Sequence, residues 1–126
     1  MIDPIADLLV RIRNASAVGK FEVKLPYSKM KVAILEIMKR EGFLTNVEVL
    51  EEGNKKNISI VISQTKTPAH LRLISHQGQK IYAKKKEIRT PLRGLGLIIV
   101  STPTGIITGR EAIKRGVGGE LICEIW

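Results

Sequence analysis

Two hydrophobic periods alternate along the first half of this chain, and no single regular structure satisfies both. Ile5, Leu8, Leu9 and Ile12 recur at helical spacing, with Asp3 placed to cap, Pro4 in the first turn and Asp7 one turn before Arg11. This predicts an amphipathic helix to about Ala15. Phe21, Val23 and Leu25 then alternate with Glu22 and Lys24 as in a half-buried strand, which Pro26 ends. Ser28 is placed to cap a second helix, with Met30, Ala33, Ile34, Ile37 and Met38 facing inward and Gly42 as its stop. Leu44 to Leu50 and Asn57 to Ser63 read as two strands joined at Glu52-Gly53-Asn54, with Ile58, Ile60 and Ile62 on the inner face. The expected order is α-β-α-β-β.

The segment Gln64 to Ala69, with its Pro68, is too short for a disordered tether and reads as a link between two lobes, residues 1–65 and 66–126. In the second lobe Leu71 to Ser75 and Lys80 to Ala83 read as a strand pair around Gln77-Gly78, followed by the basic run Lys84-Lys85-Lys86. Gly94-Leu95-Gly96 leads into the apolar run Leu97 to Val100 and the turn Ser101-Thr102-Pro103-Thr104-Gly105. Thr108 and Glu111 fit a capping box for a short helix to Arg115, with Gly116 at its end. Leu121, Cys123 and Ile125 alternate with Ile122, Glu124 and Trp126 in a final strand. The fold class is α+β, with an N-terminal α-β-α-β-β lobe and a mainly β C-terminal lobe carrying a short helix.

Charge narrows the function. The 126 residues carry a formal net charge of +9, the balance that most often accompanies a polyanionic partner, nucleic acid ahead of a membrane surface. Residues 1–65 hold 10 Lys and Arg against 8 Asp and Glu, and residues 66–126 hold 11 against 4, so the second lobe dominates the field. No apolar run approaches the ~18 residues of a spanning helix, and acidic Asp3 and Asp7 stand where a signal peptide would be basic. The chain is expected to be soluble, with no membrane partner. A single cysteine, Cys123, leaves no internal disulfide and no thiolate cluster for zinc, and its place in the strand makes it a core thiol. His70 and His76 have no acidic partner nearby in sequence, and Gly94 and Gly96 lack the third glycine of a dinucleotide fingerprint. No catalytic residue, cofactor or small-molecule substrate is expected.

The candidate contacts are therefore those that suit RNA. The hydroxyls and amides of Ser101, Thr102, Pro103, Thr104 and Gly105 match sugar edges, phosphates and unpaired bases. Tyr82 is placed to stack on an exposed base beside Lys84 and Lys85. Glu120, after two glycines, suits either a guanine edge or backbone amides that shape the loop. On the first lobe, Lys29 and Lys31 sit in the first turn of a helix, where the macrodipole disfavours cations unless an anion is bound, and Ser28 and Arg13 border them. A free-standing RNA- or DNA-binding regulator and a small RNA-processing enzyme are the rival readings; the enzyme lacks a convergent acid and base.

Taken together, Asp3-Pro4-Ile5-Ala6-Asp7, Arg11-Ile12-Arg13-Asn14, Ser28-Lys29-Met30-Lys31-Val32-Ala33, Glu41-Gly42-Phe43, Gly94-Leu95-Gly96, Ser101-Thr102 and Gly118-Gly119-Glu120-Leu121-Ile122-Cys123 resemble, end to end, the ribosomal protein eight family of the bacterial or organellar small subunit. The resemblance implies direct binding to the central domain of 16S rRNA early in platform assembly, other small-subunit ribosomal proteins as neighbours, and residence on a cytoplasmic or plastid ribosome. In bacterial relatives, the resemblance implies, the same surface can also bind an operon messenger RNA that mimics the ribosomal site and repress translation. The family's main contact falls on Ser101 to Gly105 with Tyr82 and Glu120 beside it, and on Arg13, Ser28, Lys29 and Lys31. One departure stands out: the family's turn reads Ser-Thr-Ser-basic-Gly, so Pro103 and Thr104 remove a hydroxyl and a cation.

Overall fold

The computed structural model describes residues 4–76, 78–84, 88 and 96–126. The expected Asp3 cap, the Gln77 turn position, Lys85, Lys86 and Gly94 lie outside them. Two compact units are present, residues 7–68 and residues 69–126, the latter including residues 4–6.

In the first unit α1 (Pro4–Ala17) contributes Leu8, Leu9, Ile12 and Ala15 to the buried set, the stripe its 3.6-residue period predicts. The Asp7 carboxylate lies 3.0 Å from Arg11 Nε one turn on, a pair worth a few tenths of a kcal/mol at the surface. β1 (Glu22–Pro26), β3 (Lys55–Ile62) and β2 (Leu44–Glu52) form an antiparallel sheet in the order β1-β3-β2, with Leu25, Ile58, Ile60 and Ile62 buried. β2 and β3 both run further toward their shared turn than their periodicity predicts, because Glu52 pairs with Lys55 across a two-residue Gly53-Asn54 turn, Gly53 taking φ 65°. Pro26 remains within β1, where an edge strand tolerates it.

α2 (Lys29–Arg40) departs from expectation by one position. Ser28 caps it as predicted, its Oγ accepting from the Lys31 amide at 3.1 Å. The inward stripe, however, is Lys31, Ile34, Leu35, Ile37 and Met38, while Met30 is 37% exposed. An apolar side chain thus points outward and a charged one inward. Lys31 is only 6% exposed, and the arrangement holds because its Nζ donates to the Pro26 carbonyl at 3.2 Å, satisfying a buried ammonium. The stretch read as a link is tied back on its own unit: Ser63 Oγ accepts from the Lys66 amide, Thr67 donates to the Ser63 carbonyl, and Pro68 is buried.

The second unit is organised by β8 (Gly119–Ile125). β6 (Leu97–Thr102) lies along one edge, with β7 (Gly105–Thr108) beyond it, while β4 (Leu71–Leu73) and β5 (Tyr82–Ala83) share the other edge. The two short segments expected to pair with each other pair instead with β8, since seven residues of one strand suffice for both. Their connection is held by buried Ser75, whose Oγ accepts from the Ile81 amide at 2.9 Å. α3 (Gly109–Arg115) has the predicted capping box between Thr108 and Glu111, and Gly116 ends it at φ 72°.

Two details of β8 set the geometry of this unit. Its pairing with β6 slips at Ile122, so Ile99 opposes Cys123 but Val100 opposes Leu121; the bulge breaks the simple alternation expected from sequence. Its start requires glycine. A Cβ on Gly118 would lie 2.4 Å from the Ala83 carbonyl oxygen, and one on Gly119 would lie 2.3 Å from that of Ser101. Backbone approaches backbone on both edges at this point.

Gly119→Ala is therefore expected to lose roughly 1–3 kcal/mol, lowering Tm by roughly 5–15 °C, by the overpacking it forces. Gly53→Asn serves as control, because nothing lies within 4 Å of its Cβ position and Asn tolerates a left-handed turn. Equal melting temperatures for Gly119→Ala and the parent would contradict the close approach. Cys123 is fully buried, and burial, with a smaller contribution from neighbouring Glu124, pushes its thiol from 9.0 up to about 12. The native protein should resist thiol reagents at pH 8 and react on unfolding. The thiol's stabilising contribution is intact below pH 9.0 and is lost as pH rises toward about 12, because only the unfolded chain ionises easily in that window. Rapid labelling of the folded protein would overturn this assignment.

Candidate nucleic-acid interface

Directly opposed residues in an antiparallel sheet project to the same face. Ser101 opposes Glu120 across β6 and β8, and Glu120 opposes Tyr82 across β8 and β5. The three side chains therefore form one row across three strands, spanning about 10 Å at the usual strand separation. The bulge at Ile122 makes this possible. Without it Ser101 would oppose Leu121, and Glu120 would project from the other face.

Each member of the row offers a different chemistry. Tyr82 is 69% exposed, presenting a phenol face on which a base could stack. Glu120 is largely covered, and its Oε2 lies 3.8 Å from Lys80 Nζ, so a cation not singled out in the sequence partly balances the carboxylate. No backbone amide among the described residues donates to it, which leaves its acceptor capacity facing the row rather than shaping the loop. Ser101 is half-buried, and its hydroxyl has no partner among the described residues.

The adjoining turn is a two-residue hairpin, Pro103-Thr104, closed by the pairing of Thr102 with Gly105. Proline fixes a negative φ at its first position and so excludes the primed turns that usually join twisted strands; Gly105 absorbs the difference at φ 135°. Thr102 is 9% exposed and donates its hydroxyl to the Gly105 carbonyl at 2.7 Å. A hydroxyl has one proton to give, so the 3.2 Å contact with Thr104 must be donated by Thr104. The result is a chain of bonds from Thr104 to Thr102 to Gly105. Of the loop's three hydroxyls, Thr102 and Thr104 hold the turn, and that of Ser101 has no partner among the described residues.

The remaining candidates are dispersed. Lys84 is exposed just beyond β5, and Lys85 lies outside the described residues. On the first unit Arg13 is exposed on α1 and Lys29 is exposed without a partner among the described residues, whereas Lys31 is held inside by Pro26. Ser28 is occupied as the α2 cap. His70, which has no acidic partner nearby in sequence, stacks on Trp126 at 3.7 Å between ring centroids and approaches Glu124 Oε1 at 3.3 Å; Arg72 Nε donates to the same oxygen at 2.6 Å. Strand pairing brings these together from opposite ends of the lobe, which no local motif could signal. No group of three or more metal-ligating side chains occurs among the described residues.

Comparison with known proteins agrees with this architecture. The Ribosomal protein S8 family profile matches residues 3–126. The small ribosomal subunit protein uS8 of Thermus aquaticus is 45% identical over 137 aligned positions, covering 100% of this chain and 99% of that protein. The proteins of the same name from Moorella thermoacetica and Dictyoglomus thermophilum are 44% and 48% identical, each alignment covering at least 97% of both chains. With the profile and these relatives matching along essentially the whole length, the chain belongs to the Ribosomal protein S8 family, whose members are structural ribosomal proteins and not enzymes.

Proposed function

We propose that this protein is an RNA-binding component of the bacterial small ribosomal subunit, that it contacts the central domain of 16S rRNA through the Tyr82–Glu120–Ser101 row, and that it joins the subunit early in platform assembly beside other small-subunit proteins. The observation that carries the reading is the row itself. An aromatic face, a positioned carboxylate and a hydroxyl without a partner among the described residues project together from one sheet, matching the stacking face and polar edges of a splayed base and its ribose. The formal net charge of +9 supplies attraction to phosphate without sequence information, and the row supplies discrimination. A messenger RNA that presented the same fold would meet the same surface.

The hydroxyl chain refines what mutations should do. Ser101→Ala removes a neutral hydrogen bond worth roughly 0.5–1.5 kcal/mol, so it should weaken binding to the rRNA domain about two- to tenfold with Tm and the salt dependence unchanged. Thr102→Val should instead lower Tm, because it strips the Gly105 carbonyl of its donor. Lys29→Ala should make the slope of log K against log salt shallower by about 0.7–0.9 if Lys29 meets one phosphate. Lys31→Met should leave that slope alone, its ammonium being already engaged by Pro26. Filter binding across a salt series reads the affinities and slopes, and thermal melts read the Thr102→Val and Ser101→Ala stabilities; full affinity and selectivity in a Tyr82→Ala, Ser101→Ala double variant would sink the proposal.

A further inference from the structure

The sheet of the second unit has a second face, and α3 covers part of it. Ala83 and Ile107 follow or flank row positions on their strands and so project away from the row; both belong to the buried cluster completed by Ile88 and Ala112 of α3, with Val117 and Leu121 packed against it. The outward side of α3 therefore lies across the sheet from Tyr82, Glu120 and Ser101. Helical spacing makes Arg110, Ile113 and Lys114 neighbours, all exposed, with Arg110 and Lys114 turned away from buried Gly109 and Ala112 and Ile113 at the border of that side.

This triplet is poorly explained as an ordinary solvated face. Arg110 and Lys114 are like charges at i and i+4, an arrangement that destabilises a helix. Neither has a partner among the described residues. The one acid on the helix, Glu111, is engaged by the Thr108 cap and lies 3.5 Å from Arg115. An anion spanning Arg110 and Lys114 offsets that repulsion, and Ile113 beside them gives an apolar contact for the sugar edge of a nucleic-acid strand.

We propose that the Arg110–Ile113–Lys114 face is a second RNA-backbone contact, on the opposite side of the sheet from the base-reading row, so that the C-terminal unit bridges two segments of folded RNA. The partner's identity rests on the reading given above; the existence of a second, separate contact does not. The row recognises by hydrogen bonds and stacking, whereas this face acts by charge and holds a second segment against the first.

The test uses the full-length protein, the Arg110→Gln, Lys114→Gln double variant, and two RNAs: the shortest rRNA hairpin the parent protein protects from hydroxyl radicals, and the whole central domain. Both side chains are exposed and their removal relieves the like-charge repulsion, so Tm should not fall and should rise slightly. Affinity and salt slope for the hairpin should stay as in the parent. For the whole domain, affinity should fall roughly tenfold and the slope become shallower by about 1.4–1.8, with protection lost at one segment and kept at the other. Equal losses on both RNAs would merge α3 with the first contact and overturn the bridge. No loss on either would make the face a solvated one or the seat of an acidic protein, and would overturn it equally. Ser101→Ala run in parallel separates the two claims, since it should weaken both RNAs alike whatever α3 does.

Discussion

The fit of three backbones at Gly118 and Gly119 is the constraint on which the second unit depends. Strand β8 carries pairing on both edges, and at its start the Ala83 and Ser101 carbonyl oxygens occupy the space a side chain would need. Only residues without a Cβ let β5 and β6 flank it there. Three residues later the bulge at Ile122 shifts the phase of the strand, so that Cys123 and Ile125 face the same way as Glu120. One strand thus provides both the fully buried positions at its end and the polar row at its beginning. The row inherits its rigidity from the core to which it is continuous.

The loop beside the row shows how a small set of hydroxyls divides its labour. A turn that starts with proline cannot adopt the geometry best suited to a twisted hairpin, and the Thr104 to Thr102 to Gly105 chain stabilises the alternative. Two of three hydroxyls are consumed in the turn. On the proposed reading, recognition falls on the sheet and not on the loop tip, with Ser101 in register with Glu120 and through it Tyr82.

Local periodicity made much of this architecture legible. The α1 stripe, the Ser28 cap, the Thr108–Glu111 box and the strand alternation from Asn57 onward were all readable because their signals lie within a few residues of one another. The exceptions were long-range. Whether Met30 or Lys31 faces inward differs by about 100° of helix rotation, and the Pro26 carbonyl that accepts the buried ammonium decides it. The bulge at Ile122 and the attachment of β4 and β5 to β8 depend on which strands meet, which composition does not encode. The candidate site shared both characters: its residue types were readable, but the row that unites Tyr82, Glu120 and Ser101 exists only through pairing, and Lys80 and the His70–Trp126 stack carried no local signal.

The central claim is that RNA is read from one face of one sheet, and titration of isotopically labelled protein with the 16S rRNA central domain, followed by amide chemical shifts, tests it residue by residue. The account predicts that the largest changes fall on Tyr82, Ser101, Thr104, Gly105 and Glu120. Changes confined to the first unit, for example to Glu22 and Glu48, with the row unmoved at saturation, would contradict it.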